Sequence, residues 1–264
     1  MTLLRRAALA VALLSPVAAQ ARDYCSTRPS LGQSPCVLDA GRAAVETAIA
    51  DWERHRSADT RTDTLLIADT LLRFGVTDRA ELQLEWQPYG REVTRDRVLG
   101  ETQRRDRVGD VTLGARINLA NPGGPGFSWA VQPSVTMPVG RTPIGGGDWG
   151  ASLIVPLAYR SSDILSLQVS PEVAAEADAS GHGRHLVYGN VVGLEWNLTD
   201  TLATALEGEV RRDDDPSDPA TFARAGVSLG WMANADTQLD VGTVIGLNRD
   251  TPDLRLYAGV SRRF

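Results

Sequence analysis

From Val45 to the end of the chain, apolar and polar positions alternate with a period of two, and few runs keep helical spacing. In the last stretch, DLRLYAGVSRRF, Leu254, Leu256, Ala258, Val260 and Phe264 share one parity, and Arg255, Tyr257, Gly259, Ser261 and Arg263 share the other. Two unlike faces on one extended segment mark a half-buried strand. TQLDVGTVIGLN repeats the pattern, with Leu239, Val241, Ile245 and Leu247 opposite Gln238, Asp240, Gly242 and Asn248. Such stretches predict about twelve strands of the length a tilted membrane-crossing strand needs. They begin near Ala43, Thr62, Ala80, Val108, Gly126, Trp149, Ile164, Leu186, Thr201, Thr221, Thr237 and Asp253.

The connections alternate in length. Short polar turns follow the even strands at Gly75 to Arg79, Ala120 to Gly126, Ser161 to Asp163, Thr199-Asp200 and Ala233 to Asp236. Longer loops follow the odd strands, among them Gly90 to Arg107, Arg141 to Asp148, Ala177 to Arg184 and Arg211 to Ala220. One short rim and one long rim are the build of an outer-membrane barrel. Phe74, Phe127, Tyr159, Trp196, Trp231 and Phe264 all fall on the short rim and on the apolar parity, while Trp86, Tyr89 and Trp149 fall near the long rim. Aromatic rings favour both membrane interfaces. Soluble sandwiches and lipocalin-like barrels alternate too, and periodicity alone does not separate inside from outside. The two aromatic belts, the loop asymmetry and an N-terminal leader together favour an all-β antiparallel transmembrane barrel spanning residues 43–264.

The leader is read from Arg5 and Arg6, the apolar stretch Ala7 to Leu14, and Ala19-Gln20-Ala21, the small-x-small form of a signal-peptidase site. Residues 1–21 are therefore expected to be a cleaved signal peptide, and residues 22–42 an N-terminal segment that either hangs in the periplasm or plugs the barrel. Cys25 and Cys36, both in that segment, are expected to pair as a disulfide in an oxidising compartment. The whole sequence has 27 Arg, no Lys and 33 Asp plus Glu, a net charge of −6 that becomes −8 once the two leader arginines are removed. This balance argues against a nucleic-acid partner.

Several stretches together resemble a known family. They are Arg28-Pro29, Gly41-Arg42 and Glu46 at the entry to the first strand, and Leu71, Leu72, Arg73, Phe74, Gly75, Thr77, Asp78, Glu81 and Leu82 around the first short turn. Gly109, Asp110, Leu113, Gly114, Ala115 and Arg116 follow, then Pro138 and Gly140. The chain is similar to the transporter, or MetA-pathway of phenol degradation, family. The resemblance implies an outer-membrane barrel that passes small aromatic or other hydrophobic solutes by passive or facilitated diffusion. Expected partners are outer-membrane lipid and lipopolysaccharide, an unidentified small solute, and the barrel-assembly machinery through the terminal Phe264.

Strand parity points Asp63, Asp69, Arg73, Glu81, Glu85, Arg116, Glu172, Glu195, Glu207, Glu209, Arg224, Asp240, Arg255 and Arg263 inward. These charges either form a structural network that fills the lumen, since unpaired buried charge is costly, or line a selective channel. Partners for Asp69 and Arg73 are sought in Glu81, Glu85 and Arg116. The first strand is ambiguous, because Glu46 and Trp52 share a parity; Glu46 is read as inward. No cofactor, metal site or enzyme activity is expected. His182 and His185, in GHGRH, are read as residues of a solvated loop without a matching carboxylate or Cys spacing. A closed structural barrel without flux is the competing reading, and a lipid-modifying enzyme using these histidines a third. IGGGDWG lacks the context of a phosphate loop. DDDPSDP reads as a flexible acidic tip, with a surface divalent-cation site as the alternative, and REVTRDRVLGETQRRDR as a mixed-charge loop or a site for lipid phosphates.

Overall fold

The computed structural model describes residues 22–123, 125–180 and 183–264, so the leader expected in residues 1–21 lies outside them. Among the described residues every regular element is a strand. The first barrel strand is β1 (Ala43–Arg56); the second joins β2 (Thr60–Ile67) to β3 (Asp69–Thr77). The third joins β4 (Ala80–Trp86) to β5 (Tyr89–Asp96), and the fourth β6 (Thr102–Arg107) to β7 (Val111–Ala120). The fifth is β8 (Gly126–Met137), and the sixth joins β9 (Gly150–Ile154) to β10 (Leu157–Arg160). Then come β11 (Leu165–Ala177), β12 (Arg184–Asn197), β13 (Leu202–Asp213), β14 (Ala220–Asn234), β15 (Thr237–Gly246) and β16 (Leu254–Arg263). Neighbours pair antiparallel, and β16 returns to β1 with Ala44 opposite Arg263, closing a twelve-stranded barrel. Closure leaves no free sheet edge around the wall.

The barrel is inside out relative to a soluble one. Leu72, Leu82, Leu84, Leu206, Val227, Leu229 and Val241 are exposed on the outer face, as are the short-rim aromatics Phe74, Phe127, Tyr159, Trp196, Trp231 and Phe264. The fully buried large side chains include Arg73, Arg116, Glu46, Glu81 and Asn118. In a soluble barrel the apolar parity would be the buried one, so this inversion excludes the sandwich and lipocalin alternatives and presents an apolar band to lipid.

A bulge resolves the first strand. The β1–β16 register shifts between Ala48 and Ala50, so Ala44, Glu46 and Ala48 are buried on one side of it and Asp51 on the other. One inserted residue reverses the facing of everything beyond it. Glu46 therefore faces inward while Trp52, although of the same parity, does not share its side.

The long rim departs from expectation in three places. Gly90 to Arg107 is not a loop: β5 and β6 pair with each other and carry a hairpin beyond the wall. Both of its faces are wet, so hydrophobic alternation cannot reveal it. The first long-rim connection is only residues 57–59. His185 lies within β12 and is buried, where a solvated loop was expected; His182 lies outside the described residues.

The wall is thinnest at β9 and β10. Pro133 of β8 stands opposite Leu153, Pro156 separates the two short segments, and Pro171 of β11 lies at the same height. None of the three can donate to the ladder. The remaining bonds there include Ala130 N–H to Pro156 O and Val155 N–H to Pro171 O, each at 2.9 Å.

Candidate functional site

The inward parity of the short-rim half converges on Arg73. Its guanidinium donates to Glu46 Oε1 at 2.7 Å and to both Glu81 oxygens at 2.9 Å, with all three side chains fully buried. Arg116 lies 3.6 Å from Glu81 and donates to Gln132 Oε1 at 2.8 Å. Two arginines and two glutamates balance in charge, and their spare donors reach further inward. Arg73 donates to Cys25 O at 2.7 Å, and Arg116 to Cys36 O at 3.1 Å and Gln33 Oε1 at 2.5 Å.

Those acceptors belong to the segment before β1, which is bound from nearly all round the wall. Glu46 Oε2 accepts the N–H of Thr27 and of Arg28, and Glu81 Oε2 that of Leu38. Glu207 accepts from Leu31 N, Gly32 N and the Ser30 hydroxyl. Arg28 pairs with Asp240 at 2.8 Å, Gln33 exchanges hydrogen bonds with Ser170, and Tyr257 Oη donates to Pro29 O at 2.6 Å. Cys25 and Cys36 are joined in a disulfide, which closes the segment into a loop. Tyr24, Leu38 and Ala44 bury one another beside it. Inward-facing glycines make room: a Cβ at Gly75 would fall 2.1 Å from Asp39 O, and one at Gly259 would fall 2.4 Å from Arg28 Nε. A backbone that cannot form its own ladder here has its polar groups satisfied by side chains of the wall.

The other inward charges are more scattered. Arg255 grips Asp51, with Nη2 at 2.5 Å, and Arg224 lies 3.0 Å from Glu209. Gln168 donates to Glu195 at 2.7 Å. Asp69 faces Ala48 across the β1–β3 ladder and joins no ion pair among the described residues, so of the partners sought for Asp69 and Arg73 only Glu81 is found, on Arg73; Arg116 pairs with Glu81 rather than with Asp69. Glu85 and Glu172 instead line a cavity of about 410 Å³ on the long-rim side of the segment. Gln33 meets this cavity from the segment; Gln83, Gln132, Ser152 and Glu176 give it polar walls, and Leu71, Ile154 and Ala174 apolar ones. Asp110, Gly146 and Asp148 border it as well. Asp110 there accepts from Gly140 N at 2.8 Å and Gly146 N at 2.7 Å, pinning the loop that contains IGGGDWG.

Sequence reasoning missed Asp51, hidden by the bulge, and the amides Gln83, Gln132 and Asn118, which carry no charge to draw notice. It also missed a cluster at the long rim. His185 Nδ1 lies 3.0 Å from Asp178 Oδ1, and Nε2 lies 2.9 Å from Asp213 Oδ1, with Asp215 and Glu176 close by. These carboxylates come from the end of β11, the end of β13 and the loops after them, so no spacing along the chain signals them. DDDPSDP is not a loose tip either: Asp215 is buried and accepts from Ser217, Asp218 and Ala179. These hydrogen bonds, from the Ser217 hydroxyl first, hold its carboxyl well below the usual range.

A family model described as "Putative MetA-pathway of phenol degradation" matches residues 26–264. Among solved structures the chain is similar to the COG4313 outer membrane channel from Pseudomonas putida F1, at 16% identity, over 86% of this chain and 97% of that one, with a TM-score of 0.66. It is also similar to the KdgM porin in complex with disordered oligogalacturonate, at 12% identity over 84% and 99%, TM-score 0.52. A third likeness, to the beta domain of the Bordetella autotransporter BrkA, is 12% identical over 86% and 100%, TM-score 0.50. At these identities the likeness is one of fold. Comparison with curated proteins gave no match.

Proposed function

Since this chain belongs to the family described as "Putative MetA-pathway of phenol degradation", we propose that it is an outer-membrane channel that passes small aromatic or other hydrophobic solutes by diffusion. The observation that carries the reading is an apolar outer band around a wet, charged lumen whose long-rim half holds an open cavity of about 410 Å³. That volume is of the order of a small-molecule site. Its wall interleaves polar and apolar side chains, with Leu71 beside Glu85 and Ile154 between Gln132 and Glu172, and this suits a ring bearing a hydroxyl.

The long rim faces outward from the cell, and residues 1–21 direct export and are removed. A solute enters past the loops, rests in the cavity and meets the N-terminal segment as a floor. Residues 22–42 act as a plug, held by Glu46, Arg73, Glu81, Arg116, Glu207 and Asp240, and flux follows its displacement. The remaining inward charges set the polarity of the path. No covalent step is assigned to the chain.

Uptake tests this directly. Gram-negative cells carrying the protein in their outer membrane are expected to accumulate a radiolabelled phenol several-fold faster than cells without it. Equal rates, with the protein correctly inserted, would favour the second reading, a closed structural barrel, which the density of bonds to the N-terminal segment supports.

A further inference from the structure

We propose that the long rim carries a divalent transition-metal site built from His185, Asp213 and Glu176, which ties together the ends of β11, β12 and β13. The ligand atoms of these three residues lie within 4.8 Å of one another. One imidazole and two carboxylates suit a borderline cation such as Zn²⁺ better than the all-oxygen preference of Ca²⁺ or Mg²⁺.

The state of His185 points to a ligand. Its side chain is only 5% exposed, yet among the described residues Nε2 has no hydrogen-bond partner. Asp213 Oδ1 is near, at 2.9 Å, but off the line along which an Nε2 proton would be donated. Two atoms that share a metal at about 2.0–2.2 Å stand in this relation, close to each other without bonding one another; Asp213 Oδ1 accepts from Asp215 N at 3.0 Å, and its second lone pair would take the ion. The opposite ring nitrogen is already committed: Nδ1 pairs with Asp178 Oδ1 at 3.0 Å. A carboxylate on the far nitrogen fixes the tautomer that leaves Nε2 free and raises its basicity, the usual support behind a metal-bound histidine.

The neighbouring acids divide the work. Asp215 is consumed by hydrogen bonds from its own loop and from Ala179 N. Glu176 shares its carboxylate with Arg211 Nη2 and also borders the cavity, so a bound ion would sit where the solute enters. The rival arrangement is an imidazolium held between Asp178 and Asp213 with no ion present.

The test is Zn²⁺ binding by tag-free, lipopolysaccharide-free refolded protein, in buffer containing Mg²⁺ to saturate weak surface carboxylates. The expected result is about one tight Zn²⁺ per chain, lost in His185→Ala and weakened about 10–100-fold in Asp178→Asn. Should His185→Ala fail to assemble, the double variant Glu176→Gln with Asp213→Asn is expected to lose the same ion while leaving His185 in place. Absence of tight binding by the natural chain, or stoichiometry unchanged in these variants, would overturn the site and leave the imidazolium arrangement.

Discussion

Arg73 illustrates how single residues hold this molecule. It is completely buried between Glu46 and Glu81, and removing one partner of a buried ion network strands the others without water or counter-charge. Arg73→Ala is therefore expected to lower stability by about 3–5 kcal/mol, read from denaturant unfolding in detergent. It also frees Cys25 O, so the N-terminal segment loosens along with the barrel. Exposed pairs behave differently. Asp106, on the hairpin beyond the wall, takes hydrogen bonds from Tyr89 and Arg91 that hold its carboxyl well below the usual carboxylate range. A lowered carboxylate pKa contributes stability that is full above the unfolded-state value, shrinks as pH falls below it and is gone once pH has passed the lowered one. The hairpin is thus expected to stay ordered at about pH 4, where an ordinary Asp is half titrated. Asp106→Asn is expected to fray it at neutral pH, seen as faster amide exchange from Arg91 to Arg95.

Among the elements, the weakest part of the wall is the sixth barrel strand. Pro133, Pro156 and Pro171 remove three ladder donors at one height, and β9 and β10 are only five and four residues long. Local stability follows local hydrogen bonding and contact. Amides of Leu153, Ile154 and Leu157 are accordingly expected to exchange faster than those of Val191 to Leu194 in β12; equal protection would contradict this account of the wall. The same elements explain what the sequence made legible. Strands with one face in lipid and one in the lumen announce themselves by period two, and the starts at Ala43, Ala80, Gly126 and Thr237 coincide with those observed. The β5–β6 hairpin has no apolar face and stayed hidden, and the bulge in β1 made Asp51 unreadable because parity reverses there. Arg73, Glu81 and Arg116 were legible as inward charges, whereas their partners in the N-terminal segment, Gln33 Oε1 apart, are backbone carbonyls and amides, which no side-chain pattern encodes. The His185 cluster is assembled from separate strand ends and was equally invisible.

For the molecule as a whole, we propose that the lumen conducts only when residues 22–42 move. Gly32 lies beside Ser170 of β11, where a Cβ would sit 3.0 Å from the serine oxygen, so cysteines at both positions can tether the segment to the wall. The decisive measurement is planar-bilayer conductance of Gly32→Cys with Ser170→Cys, before and after reduction, beside the natural chain treated identically. The oxidised double variant is expected to be silent, and reductant to restore the conductance of the reduced natural chain. Conductance indifferent to the tether would contradict the proposal.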